Sequence, residues 1–144
     1  MGGFTDEIEV DATLDNLDTV NGFVEEALEK ASCPMKEIMK ILVSVEEIYV
    51  NVASYAYGEK TGKCWISFKC ETTDDSSKIS VKIRDKGYPF DPLQKEEPDT
   101  TLSADERPIG GLGILMVKKS MDNVYYQNLL GENILTMEKN WQIC

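Results

Sequence analysis

The chain has 144 residues, which suits one domain spanning residues 1–144 with a single hydrophobic core. Its formal net charge of −11 excludes the basic footprint of direct nucleic-acid binding and a polybasic membrane patch. The chain contains no histidine, which excludes His-ligated zinc, Ser-His catalysis and a phosphoaccepting histidine, so any general base has to be a carboxylate.

The N-terminal third of the chain predicts a strand followed by two helices. The strand is short and covers Ile8 to Val10, and the first helix runs from Thr13 to Lys30 with an apolar stripe at helical spacing. Pro34 lies early in the second helix, where its missing N–H does no harm, and that helix runs to about Tyr57. The stripe of the first helix consists of Leu14, Leu17, Val20, Val24 and Leu28.

The second helix contains two polar residues inside an apolar pattern. Glu47 and Asn51 are four residues apart, so their side chains lie on the same face. Taken alone, such a pair is more often a hydrogen bond on a wetted flank than a functional site. Its significance depends on the motifs further along the chain. The buried stripe of this helix is predicted to be Leu42, Val45, Tyr49, Val52 and Ala56.

The middle of the chain predicts a β-hairpin and then a long loop. Lys63 to Glu71 and Lys78 to Arg84 are strands joined by a polar turn, with alternating apolar residues. Residues 85–109 show no periodicity and hold four of the five prolines. A loop of this length in a compact domain is more often a functional lid than a disordered insertion.

The C-terminal third predicts a helix and a second hairpin. A glycine cluster at 110–113 opens a helix over Ile114 to Met121, in which Lys118 and Lys119 complement the helix dipole. Val124 to Asn128 and Ile134 to Asn140 form the final strands. This element order predicts an α+β fold, a two-layer α/β sandwich with a mixed, mostly antiparallel sheet and three helices on one face.

The cysteines and the hydropathy pattern predict a reducing compartment. No apolar run approaches the length of a membrane span, and residues 1–10 lack a signal-peptide pattern, so we expect a cytoplasmic protein without a membrane partner. Cys64 and Cys70 fall about 20 Å apart on one strand, too far for a common metal or a disulfide. All four cysteines are expected to be reduced and mostly buried: Cys33, Cys64, Cys70 and Cys144.

Three polar motifs occur in a specific order. Each is weak alone, because a DxG after a strand is usually a turn and a GGLG is usually the start of a helix. Their order and spacing together indicate a nucleotide site, and no P-loop sequence is present. The motifs are Glu47-x-x-x-Asn51, Asp85-x-Gly87-x-Pro89-Phe90 and Gly110-Gly111-Leu112-Gly113.

This combination resembles the ATP-binding domain of the GHKL superfamily, which includes gyrase, histidine kinases and MutL. The segments RDKGYPFDP and ERPIGGLGILMVKKSMD are similar to those of bacterial anti-sigma factors with serine/threonine protein kinase activity. The resemblance covers nearly the whole chain. It implies the Bergerat (GHKL) version of the sandwich, with residues 85–109 forming an ATP lid.

The resemblance also implies roles for individual residues. Glu47 matches the general base, and Asn51 matches the ligand of a Mg²⁺ ion that bridges the phosphates. Asp85 matches the acceptor of a hydrogen bond from the adenine amino group, and Gly87 lets the backbone approach the base. The implied cofactor-binding residues are Asn51, Asp85, Gly87, Phe90, Arg107, Gly110, Gly111, Leu112 and Gly113, with Gly111 and Gly113 facing the phosphates and Arg107 contacting phosphate or a partner.

Elementary chemistry agrees with these roles. A carboxylate only accepts hydrogen bonds and therefore selects an amino group, which adenine offers at that position and guanine does not. A helix N-terminus with glycines binds anions without added positive charge. Two departures stand out: Tyr55 occupies a place where many members of the subgroup carry histidine, and Glu46 adds a second carboxylate. The spacing to Asn51 favours Glu47 as the base, because i and i+4 share a face better than i and i+5.

The leading interpretation is an anti-sigma factor that uses ATP and Mg²⁺ to phosphorylate a serine of a STAS-type anti-anti-sigma partner. By resemblance it is expected to bind a sigma factor and to form a homodimer. The alternative is a regulatory module in which ATP orders the lid for partner binding without phosphotransfer. Two further alternatives are a catalytic fragment of a histidine-kinase system and an α/β domain that binds no nucleotide.

Overall fold

Five strands form one sheet in the order β1-β2-β3-β5-β4 in the computed structural model, which describes residues 2–94 and 111–143. All four strand pairings are antiparallel. The α+β class is confirmed, but the expected mixed pairing is wrong for the described strands. The strands are β1 (Gly2–Asp11), β2 (Lys63–Thr72), β3 (Ser76–Asp85), β4 (Asn123–Leu129) and β5 (Glu132–Gln142).

The connections explain the absence of parallel pairs among these strands. Two helices lie between β1 and β2, and together they return the chain to the end of the sheet from which β1 left. Between β3 and β4 the described residues contain one α-helix, and the pairings show that these two strands run in the same direction, as a crossover connection allows. They are not neighbours, however, because β5 lies between them and is antiparallel to both.

Within residues 2–94 and 111–143, three α-helices pack on one face of the sheet, as predicted. They are α1 (Leu17–Lys30), α2 (Met35–Asn51) and α3 (Gly111–Ser120). The chain enters α1 through a 3₁₀ turn, Leu14–Asn16, and this turn leaves the Leu14 side chain 57% exposed, contrary to its predicted place in the buried stripe. The second helix does reach Ala56, but its last turn, Val52–Ala56, is a π-helix.

The first strand is much longer than the predicted Ile8 to Val10. It pairs with β2 along its whole length, from Gly2 opposite Thr72 to Asp11 opposite Lys63. Its N-terminal half lacks a clear alternating pattern, so only the pairing with β2 reveals it. Gly3 is required for this pairing, because a Cβ at that position would lie 2.3 Å from the carbonyl oxygen of Cys70.

The core lies between the helices and one face of the central strands. Alternate residues of β2 and β3 are fully buried there, which confirms the predicted alternation, whereas the opposite face carries charged side chains such as Lys69 and Lys82. Among the described cysteines, Cys33, Cys64 and Cys70 are free and buried. No helix in the described part is long and apolar enough to cross a membrane. The core residues of β2 and β3 are Cys64, Ile66, Phe68, Cys70, Ile79, Val81 and Ile83.

A buried lysine of the sheet contacts the start of α2 and the end of α3. Lys139 on β5 donates a hydrogen bond from Nζ to the carbonyl oxygen of Ser120 at the end of α3 (2.8 Å). The same Nζ lies 3.4 Å from Glu37 Oε2 in the first turn of α2 and 3.5 Å from Asp122 Oδ1. A charge this buried requires such partners, so Lys139 fixes α2 and α3 side by side at the end away from Asn51.

We predict that Tyr49→Phe destabilises the fold. Tyr49 is fully buried on α2, and its hydroxyl donates a hydrogen bond to the carbonyl oxygen of Thr13 at 2.6 Å, with the carbonyl oxygen of Asp11 at 3.1 Å. Both carbonyl oxygens keep Asn16 as a donor, so only the hydrogen bonds of the buried hydroxyl are lost, and the free energy of unfolding should fall by about 0.5–1.5 kcal/mol. Urea denaturation measures this value. Tyr125→Phe, at an exposed tyrosine, is the control, and equal midpoints for the two variants would contradict the prediction.

Candidate functional site

One cavity brings the second half of α2 together with the ends of β3 and β5. Its walls are apolar and aromatic, and its polar groups are Asn51, Asp85 and Asn133. Such a cleft, apolar with a few placed polar groups, is the usual form of a small-molecule site. The other lining residues are Ile48, Val52, Tyr55, Ala56, Ile83, Tyr88, Phe90, Pro92, Tyr126 and Leu135.

Asp85 is the last residue of β3 and is only 4% exposed. Its Oδ1 accepts hydrogen bonds from the Gly87 N–H at 2.8 Å and from Asn133 Nδ2 at 2.9 Å. Burial raises the pKa of Asp85 above its ordinary value, while these two N–H donors oppose the rise. Because both bonds use Oδ1, Oδ2 is the oxygen that can accept a further donor from the cavity.

Asn133 on β5 is a site residue that the sequence analysis missed. It lies directly opposite Asp85 in the β3–β5 pairing. Its Nδ2 also donates to the carbonyl oxygen of Tyr88 at 3.0 Å, and its Oδ1 accepts hydrogen bonds from the Tyr126 hydroxyl and, at 3.1 Å, from Asn128 Nδ2. The available signal was an asparagine immediately before the apolar run of the last strand.

The π-helical turn at the end of α2 positions the loop that follows β3. The carbonyl oxygen of Ala56 accepts a hydrogen bond from the Tyr88 N–H at 2.7 Å. A Cβ on Gly87 would lie 2.1 Å from this same oxygen, so no larger residue fits between β3 and the helix. Close packing against the helix therefore explains why the tight turn after Asp85 contains a glycine. The expectation that a base also lies against Gly87 stays a prediction.

Tyr57, the residue after the π-helical turn, also contacts the loop that follows β3. Its hydroxyl donates to the carbonyl oxygen of Lys63 at the start of β2 and accepts a hydrogen bond from the Lys86 N–H at 2.8 Å. Burial raises the pKa of Tyr57, so the phenol is neutral near pH 7. Lys86 within the turn is thus linked through Tyr57 to the start of β2, and Tyr88 after the turn is hydrogen-bonded to the π-helical end of α2.

Glu47 contacts the start of α3. A Cβ on Gly113 would lie 1.9 Å from Glu47 Oε2 and 2.2 Å from Cδ, so the carboxylate occupies the space that a side chain at 113 would need. Glu47 is half-buried, whereas its neighbour Glu46 is exposed. The first and third sequence motifs therefore meet at this contact, and Glu47, not Glu46, is the carboxylate that faces α3.

Asn51 lies one turn further along α2 and is 8% exposed. Its Nδ2 donates to the carbonyl oxygen of Glu47 at 2.9 Å, which leaves Oδ1 as the atom that can ligate a cation. No group of three or more His, Cys, Asp or Glu side chains in the described residues could hold a metal ion. A cation here would take its other ligands from water and from an anion bound beside it. Mg²⁺ commonly binds in this way.

The described part of the predicted lid is its first ten residues, Asp85 to Gln94. Asp91 Oδ1 accepts a hydrogen bond from the Leu93 N–H at 2.9 Å, at the 3₁₀ turn Pro92–Gln94. Lys118 on α3 donates from Nζ to the carbonyl oxygen of Leu93 at 2.8 Å, a role in addition to its predicted effect on the helix dipole.

The remaining candidates lie partly outside the described residues. Arg107 and Gly110 lie outside them, as does the rest of the lid. Gly111 and Leu112 begin helix α3, and Phe90 and Tyr55 line the cavity. The structure thus brings Asn51, Asp85 and Phe90 together around one cavity, with Gly87 hydrogen-bonded to Asp85. Separately, it places Glu47 against Gly113 at the start of α3.

Comparison with known proteins gives a family and a fold. The sequence profile of the family described as "Histidine kinase-like ATPase domain" matches residues 10–139. A search of curated protein sequences found no significant match. The crystal structure of the RsbU and RsbW domains of Rv1364c from Mycobacterium tuberculosis is similar, with a TM-score of 0.65 and 15% sequence identity. The match covers 98% of this chain and 33% of that chain, so this chain spans about a third of its length.

We predict opposite effects on stability for alanine at two glycines. Gly87→Ala forces a Cβ into the backbone of Ala56, which cannot move without disturbing the π-helical turn, and should reduce the free energy of unfolding by about 1–3 kcal/mol. Gly22→Ala places a methyl group in open space on exposed α1 and should raise it by about 0.5–1 kcal/mol. Thermal or urea denaturation measures both, and a Gly87→Ala protein as stable as wild type would contradict the packing assignment.

Proposed function

We propose that this chain, which belongs to the family of histidine kinase-like ATPase domains, binds ATP and transfers its γ-phosphoryl group to a serine or threonine of a protein partner. One observation carries the proposal. A buried carboxylate suited to an amino group lies in the same cavity as Asn51, and one helical turn from Asn51 a second carboxylate contacts the start of α3. The two ends of the site are therefore suited to the two ends of ATP.

The base end of the site is formed by Asp85 and the apolar walls. Oδ2 of Asp85 accepts a hydrogen bond from the 6-amino group of adenine, while Ile48, Val52 and Leu135 cover the faces and edges of the ring. Guanine presents a carbonyl oxygen at that position and would face a carboxylate without a hydrogen between them. The site therefore selects ATP and ADP over guanine nucleotides.

The phosphate end of the site is formed by α2 and α3. The N–H groups at the start of α3, among them those of Gly111 and Gly113, offer hydrogen bonds and a partial positive charge to phosphate oxygens. Arg107 and Gly110 contribute to the same contact in this proposal. Asn51 Oδ1 is the protein ligand for Mg²⁺, which neutralises charge on the phosphates when it is bound.

Glu47 is the general base of the proposed reaction. Its carboxylate accepts the proton of the serine hydroxyl as that oxygen attacks the γ-phosphorus. The bond between the γ-phosphorus and the β,γ-bridging oxygen breaks, ADP leaves, and the proton passes from Glu47 to solvent. The contact with Gly113 supports this role, because it places Glu47 beside the helix start where the phosphates would lie.

The proposed partners follow from the resemblance of the sequence motifs to those of bacterial anti-sigma factors. We propose that a sigma factor and a STAS-type anti-anti-sigma protein bind this chain, that the latter is the phosphorylated substrate, and that the chain acts as a homodimer. The fold similarity to a structure that contains an RsbW domain supports this set of proposed partners. The alternative, an ATP-dependent binding module without phosphotransfer, is separated from the kinase by the second experiment below.

The first prediction is that Asp85→Asn weakens ATP binding. An amide places donors where the carboxylate accepts, and the charge-assisted hydrogen bond to the adenine amino group is lost. We expect a loss of binding free energy of about 1.5–3 kcal/mol in calorimetric titration with ATP and Mg²⁺. Asp74→Asn, in the exposed β2–β3 turn, is the matched control. Equal ATP affinity of Asp85→Asn and wild type would rule out the adenine assignment.

The second prediction is that Glu47→Gln leaves ATP affinity near normal and slows phosphotransfer by roughly 10²–10⁴-fold. Glutamine keeps the shape of the side chain against Gly113 but cannot accept the proton. The measurement is transfer of labelled phosphate from ATP to a co-purified STAS-domain protein. Glu46→Gln is the matched control, since this neighbouring carboxylate is exposed, and it should transfer at the wild-type rate.

Two results would overturn parts of this assignment. If Glu47→Gln transfers phosphate as fast as wild type while Glu46→Gln does not, the base is Glu46. If wild-type protein binds ATP and a STAS-domain protein but transfers nothing, the binding-module alternative replaces the kinase.

A further inference from the structure

The amide of Asn133 uses all of its hydrogen-bonding groups inside the structure. Its Nδ2 donates to Asp85 Oδ1 and to the Tyr88 carbonyl oxygen, and its Oδ1 accepts from the Tyr126 hydroxyl and from Asn128 Nδ2. The carbonyl oxygen of Gly87, at 3.5 Å from Nδ2, adds a weaker acceptor. An amide with acceptors on one side and donors on the other has only one favourable orientation.

That orientation affects the charge state of Asp85. If the amide were reversed, its Oδ1 would face the carboxylate, and only a protonated Asp85 could donate to it. In the observed orientation the N–H group favours an ionised Asp85, against the effect of burial. Tyr126 and Asn128 stabilise this orientation from β4, the edge strand of the sheet.

The other ionisable groups around Asp85 do not supply this effect. Cys64 lies opposite Asp85 on β2, and burial raises its pKa to about 12, so it is neutral near pH 7. Tyr57 is neutral there as well, because burial raises its pKa. Lys86, the next residue after Asp85, places its Nζ over the ring of Trp65, 5.3 Å from the centroid. The N–H groups of Asn133 and Gly87 therefore carry the stabilisation of the carboxylate in the described part.

From this geometry we infer that Asn133 is the positioning residue for adenine recognition: its amide, oriented by Tyr126 and Asn128, holds Oδ1 of Asp85 and leaves Oδ2 for the amino group of the base. The inference rests on the proposed function, since it requires that ATP is the ligand. It assigns to a residue of β5 a selectivity that Asp85 alone would not have, because an unassisted buried carboxyl group would be protonated more readily and could then also donate to a carbonyl oxygen.

Two nucleotides separate this role from a merely structural one. ATP carries the 6-amino group, and purine riboside 5′-triphosphate lacks it but is otherwise the same. Asn133→Ala should reduce the affinity for ATP roughly tenfold and leave the affinity for the purine analogue within about twofold of wild type. General damage to the cavity would reduce both affinities equally, and that result would overturn the inference.

The pH dependence of ATP affinity is the second measurement. Binding requires ionised Asp85, so affinity is full above the pKa of Asp85 and falls as the pH drops through it. Asn133→Ala removes a donor that lowers this pKa, so the fall should begin at a higher pH than in wild type. An unchanged profile would contradict the inference. Titrations of the nucleotide itself are common to both proteins and cancel in the comparison.

A milder variant guards against a protein that does not fold. Tyr126→Phe keeps the ring and removes the hydroxyl that holds Asn133 Oδ1, so it should shift the pH profile in the same direction by a smaller amount. Asn128→Ala, at an exposed position, leaves Tyr126 in place and should have less effect than Tyr126→Phe. If wild-type protein binds no ATP, the proposed function fails; if it binds ATP and neither Asn133→Ala nor Tyr126→Phe changes the profile, only this inference fails.

Discussion

The buried carboxylate of Asp85 is the constraint on which the cavity depends. A carboxylate removed from water must receive hydrogen bonds or lose its charge. Its donors come from two places that are separate in the sequence, the turn at Gly87 and the opposite position on β5. This turn is held by the hydrogen bond from the Tyr88 N–H to the carbonyl oxygen of Ala56. The register of β3 with β5 and the π-helical end of α2 must therefore both form before Asp85 has its two donors.

Helix α2 serves the core and the site with different faces. Val45, Ile48 and Tyr49 are fully buried, while Glu47 and Asn51 point toward α3 and the cavity. Because the apolar face packs against the sheet and α1, the backbone that carries the two polar side chains is held in place. Glu47 contacts Gly113 at the start of α3, and Asn51 lies one helical turn further along α2. The start of α3 is therefore held near Asn51. A site built on a packed helix is more accurately positioned than one built on loops.

The parts of the fold with a regular pattern could be predicted from the sequence, and so could the residues that interrupt it. Glu47 and Asn51 were recognisable as polar residues on one face of an apolar helix, and Asp85 and Gly87 as a motif at a strand end. Asn133 was not, because its role arises from its place opposite Asp85, and strand register is set by folding and not by local composition. The π-helical turn also left no signal, since Val52–Ala56 continues the helical spacing of apolar residues. The ligand-binding roles of Glu47, Asn51, Asp85 and Gly87 stay predictions, and Arg107 and Gly110 lie outside the described residues.

The charge balance of the chain limits how a polyphosphate could be held. The net charge is −11, and two of the carboxylates counted in it, those of Glu47 and Asp85, lie at the ends of the proposed site. In the proposed function the start of α3 offers about half an elementary charge of opposite sign and Arg107 one more, so bound Mg²⁺ would supply the largest share of the compensation. Asn51 is a neutral ligand for such a cation and cancels none of its charge. A carboxylate at this position would bind the cation more strongly without nucleotide and leave less charge for the phosphates. In the proposed function, the amide therefore suits a site that would bind Mg²⁺ together with the nucleotide.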